Sequence, residues 1–196
     1  MDYRSMTPFI TIITPSIQRD ELLRCCYSVN TQVLRDWQHI VMLDVETVDE
    51  KMFDLIRHPQ RLVIQCDHPH KNFGNTCRHN GWMYAKGEWT LCLDDDNYLA
   101  DNNVLQDLAE ILVHVPEPWS LWPILRHGER FFNDPPGVCR TDTANMIFRT
   151  EMARWPMIQE YTADGLLAES MMDLYPYAAF ANFRPIVIME ASRNGK

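Results

Sequence analysis

Trp89-Thr90-Leu91-Cys92-Leu93-Asp94-Asp95-Asp96 runs five residues suited to a buried strand straight into three adjacent carboxylates. Three negative charges side by side repel one another, so folding gains nothing from them unless water, a cation or basic side chains offset the field. At the carboxyl end of a central strand they would point into the crevice where open α/β sheets bind ligands. A hard divalent cation, Mg²⁺ or Mn²⁺, is the natural occupant, because it takes oxygen ligands and can bridge to substrate phosphates. An acidic, solvated loop after a strand has the same three letters, so the flanking sequence has to decide.

Upstream, strands and helices alternate. Residues 9–14 (Phe-Ile-Thr-Ile-Ile-Thr) form a β-branched run ended by Pro15-Ser16, a buried first strand. Asp20 can cap a helix in which Leu22, Leu23, Cys26 and Val29 keep the helical period. Residues 39–43 predict a second strand ending on Asp44, 50–57 a short helix, and 61–66 a third strand. A polar loop, 68–75, leads into a helix expected over about 75–86, with Gly87 as its stop. Downstream of the carboxylates, Asp101 or Asn102 caps a helix carrying Val104, Leu105, Leu108, Ile111 and Leu112, which Pro116 ends. The second half is less regular. Residues 119–125 predict a strand, 127–138 a polar loop, 145–148 a short strand, a helix capped by Thr162 follows, and 186–189 make a last strand. The alternation implies an α/β fold with a mostly parallel, Rossmann-like central sheet covered by helices on both faces.

A chain of 196 residues suits one domain, 1–196, with a binding half (1–100) and a completing half (101–196). The net charge of −9 gives no general attraction to nucleic acid or anionic membrane, which argues mildly against a nucleic-acid partner. No apolar run approaches 18 residues, so no transmembrane helix is expected, and Met1-Asp2-Tyr3-Arg4 lacks a signal-peptide pattern. The six cysteines lack a Cys-x-x-Cys pair and several lie in apolar segments, which suits reduced thiols and a cytoplasmic location.

Four motifs in this order resemble the GT-A fold glycosyltransferases of family 2. They are Thr14-Pro15-Ser16 after strand one, Asp44 after strand two, the Gly74-Asn75-x-x-Arg78-x-Asn80-Gly81 helix start, and Lys86-Gly87-Glu88-Trp89 leading to Leu93-Asp94-Asp95-Asp96. The match covers about the first hundred residues and continues more weakly through Asn145-Met146-Ile147-Phe148-Arg149 and Tyr161-Thr162-Ala163-Asp164-Gly165. The resemblance implies a nucleotide-sugar donor, a UDP-sugar being the first expectation, and an acceptor hydroxyl of unknown identity. It places Thr14, Pro15 and Ser16 around the ribose and backbone, Asp44 on a base N–H, and Gly74, Asn75 and Arg78 at the nucleotide or its phosphates. Asp96 would reach the Mn²⁺ or Mg²⁺ ion directly, while Asp94 or Asp95 would contact ribose or a metal-bound water. The family's Asp-x-Asp maps onto Asp94 and Asp96. Asp164 would be the general base of a single, inverting displacement.

The family's usual Glu-Asp pair reads Ala163-Asp164 here, and no histidine follows His127 to serve as a late metal ligand. Water and phosphate, or His127, would then complete the metal shell, or metal dependence would be weak. Acceptor recognition would come from the 119–140 region or from a partner chain, a homo-oligomer included, with Trp119, Trp122, Phe131 and Phe132 available for stacking. His68 and His70 read as a surface loop rather than a metal pair. Two other classes stay open: a non-catalytic nucleotide-sugar-binding module, and a sugar nucleotidyltransferase, although no glycine-rich basic loop follows strand one. No Gly-x-x-x-x-Gly-Lys-Ser/Thr precedes the aspartates, which disfavours a P-loop enzyme.

Overall fold

The acidic stretch lies at the middle of a seven-stranded sheet. A computed structural model describes residues 8–152 and 155–190 of the chain. In chain order the elements are β1 (Ile10–Ser16), α1 (Glu21–Asn30), β2 (Trp37–Leu43), α2 (Glu50–Ile56), β3 (Arg61–Gln65), α3 (Asn75–Trp82) and β4 (Trp89–Cys92). There follow β5 (Asn97–Leu99), α4 (Val104–Leu112), β6 (Trp119–Leu121), β7 (Ile124–Arg126), β8 (Glu129–Phe131), a 3-10 turn (Thr143–Asn145), β9 (Met146–Arg149), α5 (Ala163–Leu174), β10 (Ala178–Ala179) and β11 (Val187–Met189). The main sheet runs β10-β6-β9-β4-β1-β2-β3, and β5-β11-β7-β8 form a second, four-stranded sheet.

Strands β3, β2, β1 and β4 are parallel neighbours, whereas β9 runs antiparallel to both β4 and β6. The side-chain period of two sends alternate residues to opposite faces. Ile10, Ile12, Trp89 and Leu91 pack with Cys25 and Val29 of α1 and with Val104, Leu105, Leu108 and Leu112 of α4. Ile13, Ile40, Met42 and Cys92 face the other way, against Cys77 and Trp82 of α3 and Leu167, Ala168 and Met171 of α5. Helices therefore cover both faces, as the alternation implied.

The second half departs from expectation in identifiable ways. Residues 119–125 are not one strand: β6 ends at Leu121, and after Trp122-Pro123 the chain enters the other sheet as β7. Proline has no N–H to give a ladder, so the run breaks where Pro123 stands. The expected polar loop 127–138 contains β8, paired with β7 through His127-Gly128, both at positive φ (53° and 82°). Such a two-residue hairpin turn suits the twist of the strands. The expected strand 186–189 is realised as β11, but in the second sheet, antiparallel to β5. Helix α3 ends at Trp82 rather than 86, because Met83, Tyr84 and Ala85 donate to carbonyls three residues back, tightening the chain out of the α-helix. Gly87 is not a helix stop. A Cβ there would lie 2.6 Å from the Thr11 backbone nitrogen, so glycine lets this segment cross β1 closely.

The aromatic residues of 119–140, available for stacking but in such stretches more often core, pack inward. Trp119 and Trp122 are fully buried; Trp119 stacks on Phe148 and Trp122 on Phe180. Each buried tryptophan contributes roughly 4–6 kcal/mol by area alone, so the sheet retains them. Phe131 and Phe132 pack against the two main cores. Among the described residues, no helix is long and apolar enough to cross a membrane. All six cysteines are free.

Candidate active site

Parallel strands end on one side of a sheet, and the loops that leave them frame a crevice. Here those loops enclose a cavity of about 520 Å³. Pro15, Ser16, Asp44, Gly74, Asn75, Arg78, Asp94, Asp95, Asp96 and Asp164 all line it. Thr14 does not. Its side chain is fully buried behind the site, bonded to His39 Nε2 at 2.9 Å. Arg61 Nε donates to His39 Nδ1 at 2.9 Å, so the neutral ring must carry its hydrogen on Nε2 and donate it to Thr14. Burial and the neighbouring Arg61 charge hold the His39 pKa well below its ordinary value. Thr14 therefore fixes the base of β1 from the side of α1.

The three carboxylates differ in environment. Asp95 is buried and turned back on β1, where it accepts from Ser16 Oγ at 2.7 Å and from the Ile17 N–H at 3.3 Å. Burial pushes its pKa up to about 6, against the attraction of Arg19. Asp94 and Asp96 stay partly open to the cavity, with side chains 28% and 24% exposed. Asp94 pairs with Arg78 Nη2, and Asp96 with Arg19 Nη1 at 3.0 Å. Burial and the Asp94 charge raise the Asp96 pKa.

Arg78 is clasped from three sides. Its Nη1 donates to the Phe73 carbonyl at 2.7 Å, its Nη2 to Asp94, and its guanidinium carbon lies 5.0 Å from the centre of the Trp155 ring. Asn75, next to it on α3, ties the β9–α5 connection to the site. Its amide donates to the carbonyls of Ile158 and Glu160, while its oxygen accepts from Trp155 Nε1 at 3.0 Å. Gly74 holds a positive φ of 76° against Pro15. Asp44 accepts from the backbone N–H groups of His70 and Lys71 at 2.7 and 3.3 Å, which fixes the far wall.

Asp164 stands in the first turn of α5 and accepts from the Gly165 N–H at 2.7 Å. The helix terminus and Arg78 favour the carboxylate, but burial outweighs them and raises its pKa. Asp142 also lines the cavity and was not singled out from the sequence. It caps the 3-10 turn through the Ala144 N–H at 3.1 Å, and burial pushes its pKa up to about 6. Its one sequence signal is an Asp three residues before Asn145, the pattern of a reciprocal cap. The aromatics that do reach the cavity are Phe73, Trp155 and Tyr161.

Six carboxylates line this space against Arg19, Lys71 and Arg78, an excess of negative charge that suits a cation more than a bare anion. The oxygens of Asp94, Asp95 and Asp96 do not converge as a three-ligand cage. Among the described residues the clusters close enough for that are Asp44-Cys66-His70 and Asp67-His68-His70. A magnesium-like ion asks for less: one or two carboxylates, with water and substrate phosphates completing its shell. Asp94 and Asp96 fit that donor set.

No family model and no curated protein matches the sequence. Solved structures do match the fold. Staphylococcus aureus TarS 1–349 superposes with a TM-score of 0.76 at 16% identity, over 92% of this chain and 60% of that one. The same TarS fragment in complex with UDP-GlcNAc gives 0.76 at 15%, over 95% and 59%. The Pyrobaculum calidifontis mannosyltransferase PcManGT in complex with GDP-Man and Mn²⁺ gives 0.72 at 13%, over 96% and 58%. The chain thus spans about 60% of the length of these structures. With a parallel β3-β2-β1-β4 core, an antiparallel β9 and a carboxylate-lined crevice at the end of β4, the chain has the GT-A fold.

Proposed function

We propose that this chain transfers a glycosyl group from a nucleoside-diphosphate sugar, a UDP-sugar first, to an acceptor hydroxyl with inversion at the anomeric carbon. One observation carries the reading. Asp94 and Asp96 open into the same cavity as the half-buried Asp164, with the clasped Arg78 beside Asp94. Structures of this fold holding UDP-GlcNAc, or GDP-Man with Mn²⁺, support a nucleotide sugar and a divalent ion.

In this mechanism Pro15, Ser16 and Asp44 hold the nucleoside, and Gly74 lets the α3 loop lie against it. Arg78, already oriented by Phe73 and Asp94, presents a fixed fork to phosphate oxygen. A divalent cation held by Asp94 and Asp96 would neutralise the charge that grows on the departing diphosphate. Asp164 accepts the acceptor's hydroxyl proton while that oxygen attacks the anomeric carbon, and the C–O bond to the diphosphate breaks with its electron pair. A carboxylate whose pKa is raised by burial is a better proton acceptor near neutral pH than an exposed one.

The test is thermal stabilisation by UDP with and without Mn²⁺, since a ligand specific for the folded state stabilises by mass action. UDP plus Mn²⁺ is expected to raise Tm in the wild type and not in Asp96→Ala. Equal shifts in the two proteins would remove Asp96 from the metal site. Nucleotide release from a UDP-sugar separates the readings further: a transferase hydrolyses it slowly without acceptor, and a binding module leaves it intact.

A further inference from the structure

We infer that Arg19 is a tethered counter-ion that covers the carboxylate face of the site until a diphosphate draws it away, so that cation and nucleotide enter as a coupled pair. The inference rests on the donor reading above and adds a device to it. The Arg19 fork spans two of the three aspartates, with Nη1 3.0 Å from Asp96 and Nη2 3.3 Å from Asp95. A cation approaching Asp96 therefore meets a guanidinium already in place. Like charges repel most where water is scarce, and Asp95 is buried.

The side chain can leave while its backbone stays. Gln18, at a positive φ of 58°, exchanges two hydrogen bonds with Asp49: its amide donates to the Asp49 carbonyl, and its oxygen accepts the Asp49 N–H at 2.8 Å. Ser16 and Ile17 are anchored on Asp95. These bonds pin the loop before Arg19, and the start of α1 pins it after, where the Leu22 N–H donates to the Arg19 carbonyl at 3.1 Å. Arg19 Nε is buried yet has no acceptor, and the side chain is 36% exposed. Arg78 shares the unpartnered Nε but differs at its outer end: the Phe73 carbonyl, Asp94 and the Trp155 ring hold it, and its side chain is 6% exposed. One arginine is a fixed fork, the other a movable one. Phosphate oxygens would give Arg19 Nε the acceptor it lacks, replace the carboxylates at the fork and release Asp96 to the cation. Linkage makes the effect reciprocal: whatever nucleotide does for the cation, the cation does for nucleotide.

The test titrates Mn²⁺ into the full chain by the electron paramagnetic resonance signal of the free ion, with and without saturating UDP. In the wild type UDP is expected to tighten Mn²⁺ binding by about tenfold or more. Arg19→Gln without UDP is expected to bind Mn²⁺ about tenfold more tightly than the wild type, and to gain little from UDP. Arg19→Lys, which keeps the charge but loses the fork, should fall between them. Lys71→Gln, which removes one positive charge from the same cavity without touching Asp96, should leave Mn²⁺ affinity near the wild-type value. The inference falls if Arg19→Gln binds Mn²⁺ alone no better than the wild type, or if Lys71→Gln gains as much. A gain in Arg19→Gln with no UDP binding in any protein keeps the counter-ion role and removes the donor reading. UDP-dependent Mn²⁺ binding without that gain does the reverse. Proteins that bind no Mn²⁺ under any condition end both.

Discussion

Gly74 faces Pro15 so closely that a Cβ on it would lie 2.8 Å from the Pro15 Cβ. The loop before α3 and the end of β1 thus meet at the wall of the cavity, with no room for a side chain between them. Gly74→Ala adds a methyl at that contact and forces an L-residue to keep φ at 76°. The backbone alone costs about 1–2 kcal/mol. Relief by moving the loop would also displace the Phe73 carbonyl that orients Arg78. The variant is expected to lose both chemical-denaturation stability and UDP affinity. Unchanged UDP affinity by calorimetry would show that the contact does not shape the nucleotide site.

Asp164→Asn keeps the size of the side chain and removes its capacity to take a proton. Turnover of a UDP-sugar with a working acceptor should fall by about 10²–10⁴-fold, the usual worth of a positioned base. UDP affinity should stay within a few-fold of the wild type. Retained kcat would take Asp164 out of the mechanism and turn attention to Asp142, a raised carboxylate of the cavity outside the Asp94–Asp96 run.

Asp142 gives a stability signature of its own. Its pKa is about 6 in the fold because burial disfavours the charge, against about 3.9 for an unfolded aspartate. Between those values the native chain binds the extra proton. The contribution is therefore full at low pH and is lost as pH rises through about 6. Asp142→Asn keeps a capping oxygen and carries no charge. Between pH 4.5 and 8 the wild type is expected to lose about 2 kcal/mol more than the variant, read from denaturation midpoints. Parallel curves would show that the fold does not penalise this carboxylate.

Trp119 tests the assignment of the second-half aromatics to the core. Trp119→Ala empties a fully buried site stacked on Phe148, and should cost about 3–5 kcal/mol. The surviving folded fraction should bind UDP as the wild type does. Weakened UDP binding at equal folded fraction would mean that this tryptophan communicates with the cavity.

The first half of the fold was legible because its signals are local. The β-branched runs of β1 to β3 and the strand feeding Asp94 each announce themselves within a few residues; the end of β1 carries Pro15 and Ser16 into the cavity, and the loops after β2 and β3 carry Asp44 and Gly74. What escaped depended on distant partners. Arg19 meets Asp96 across 77 positions, so nothing near it marks the ion pair. Thr14 sits beside Pro15 yet points the other way, because the period of two gives it to α1 and His39. Asp142 looked like an ordinary polar residue before a short strand. Strand β5 is three residues long and exists through β11, some ninety positions later. Pro123 was visible, but only the second sheet shows where it sends the chain.

Strand β9 has a consequence for how the chain can be divided. It comes from the second half, yet it lies antiparallel against β4, while β11 does the same for β5. A break near residue 100 would leave both first-half strands with bare hydrogen-bonding rims, open to pairing with strangers. Folding should therefore be cooperative across residue 100, and fragments 1–100 and 101–196 should recover structure only when mixed.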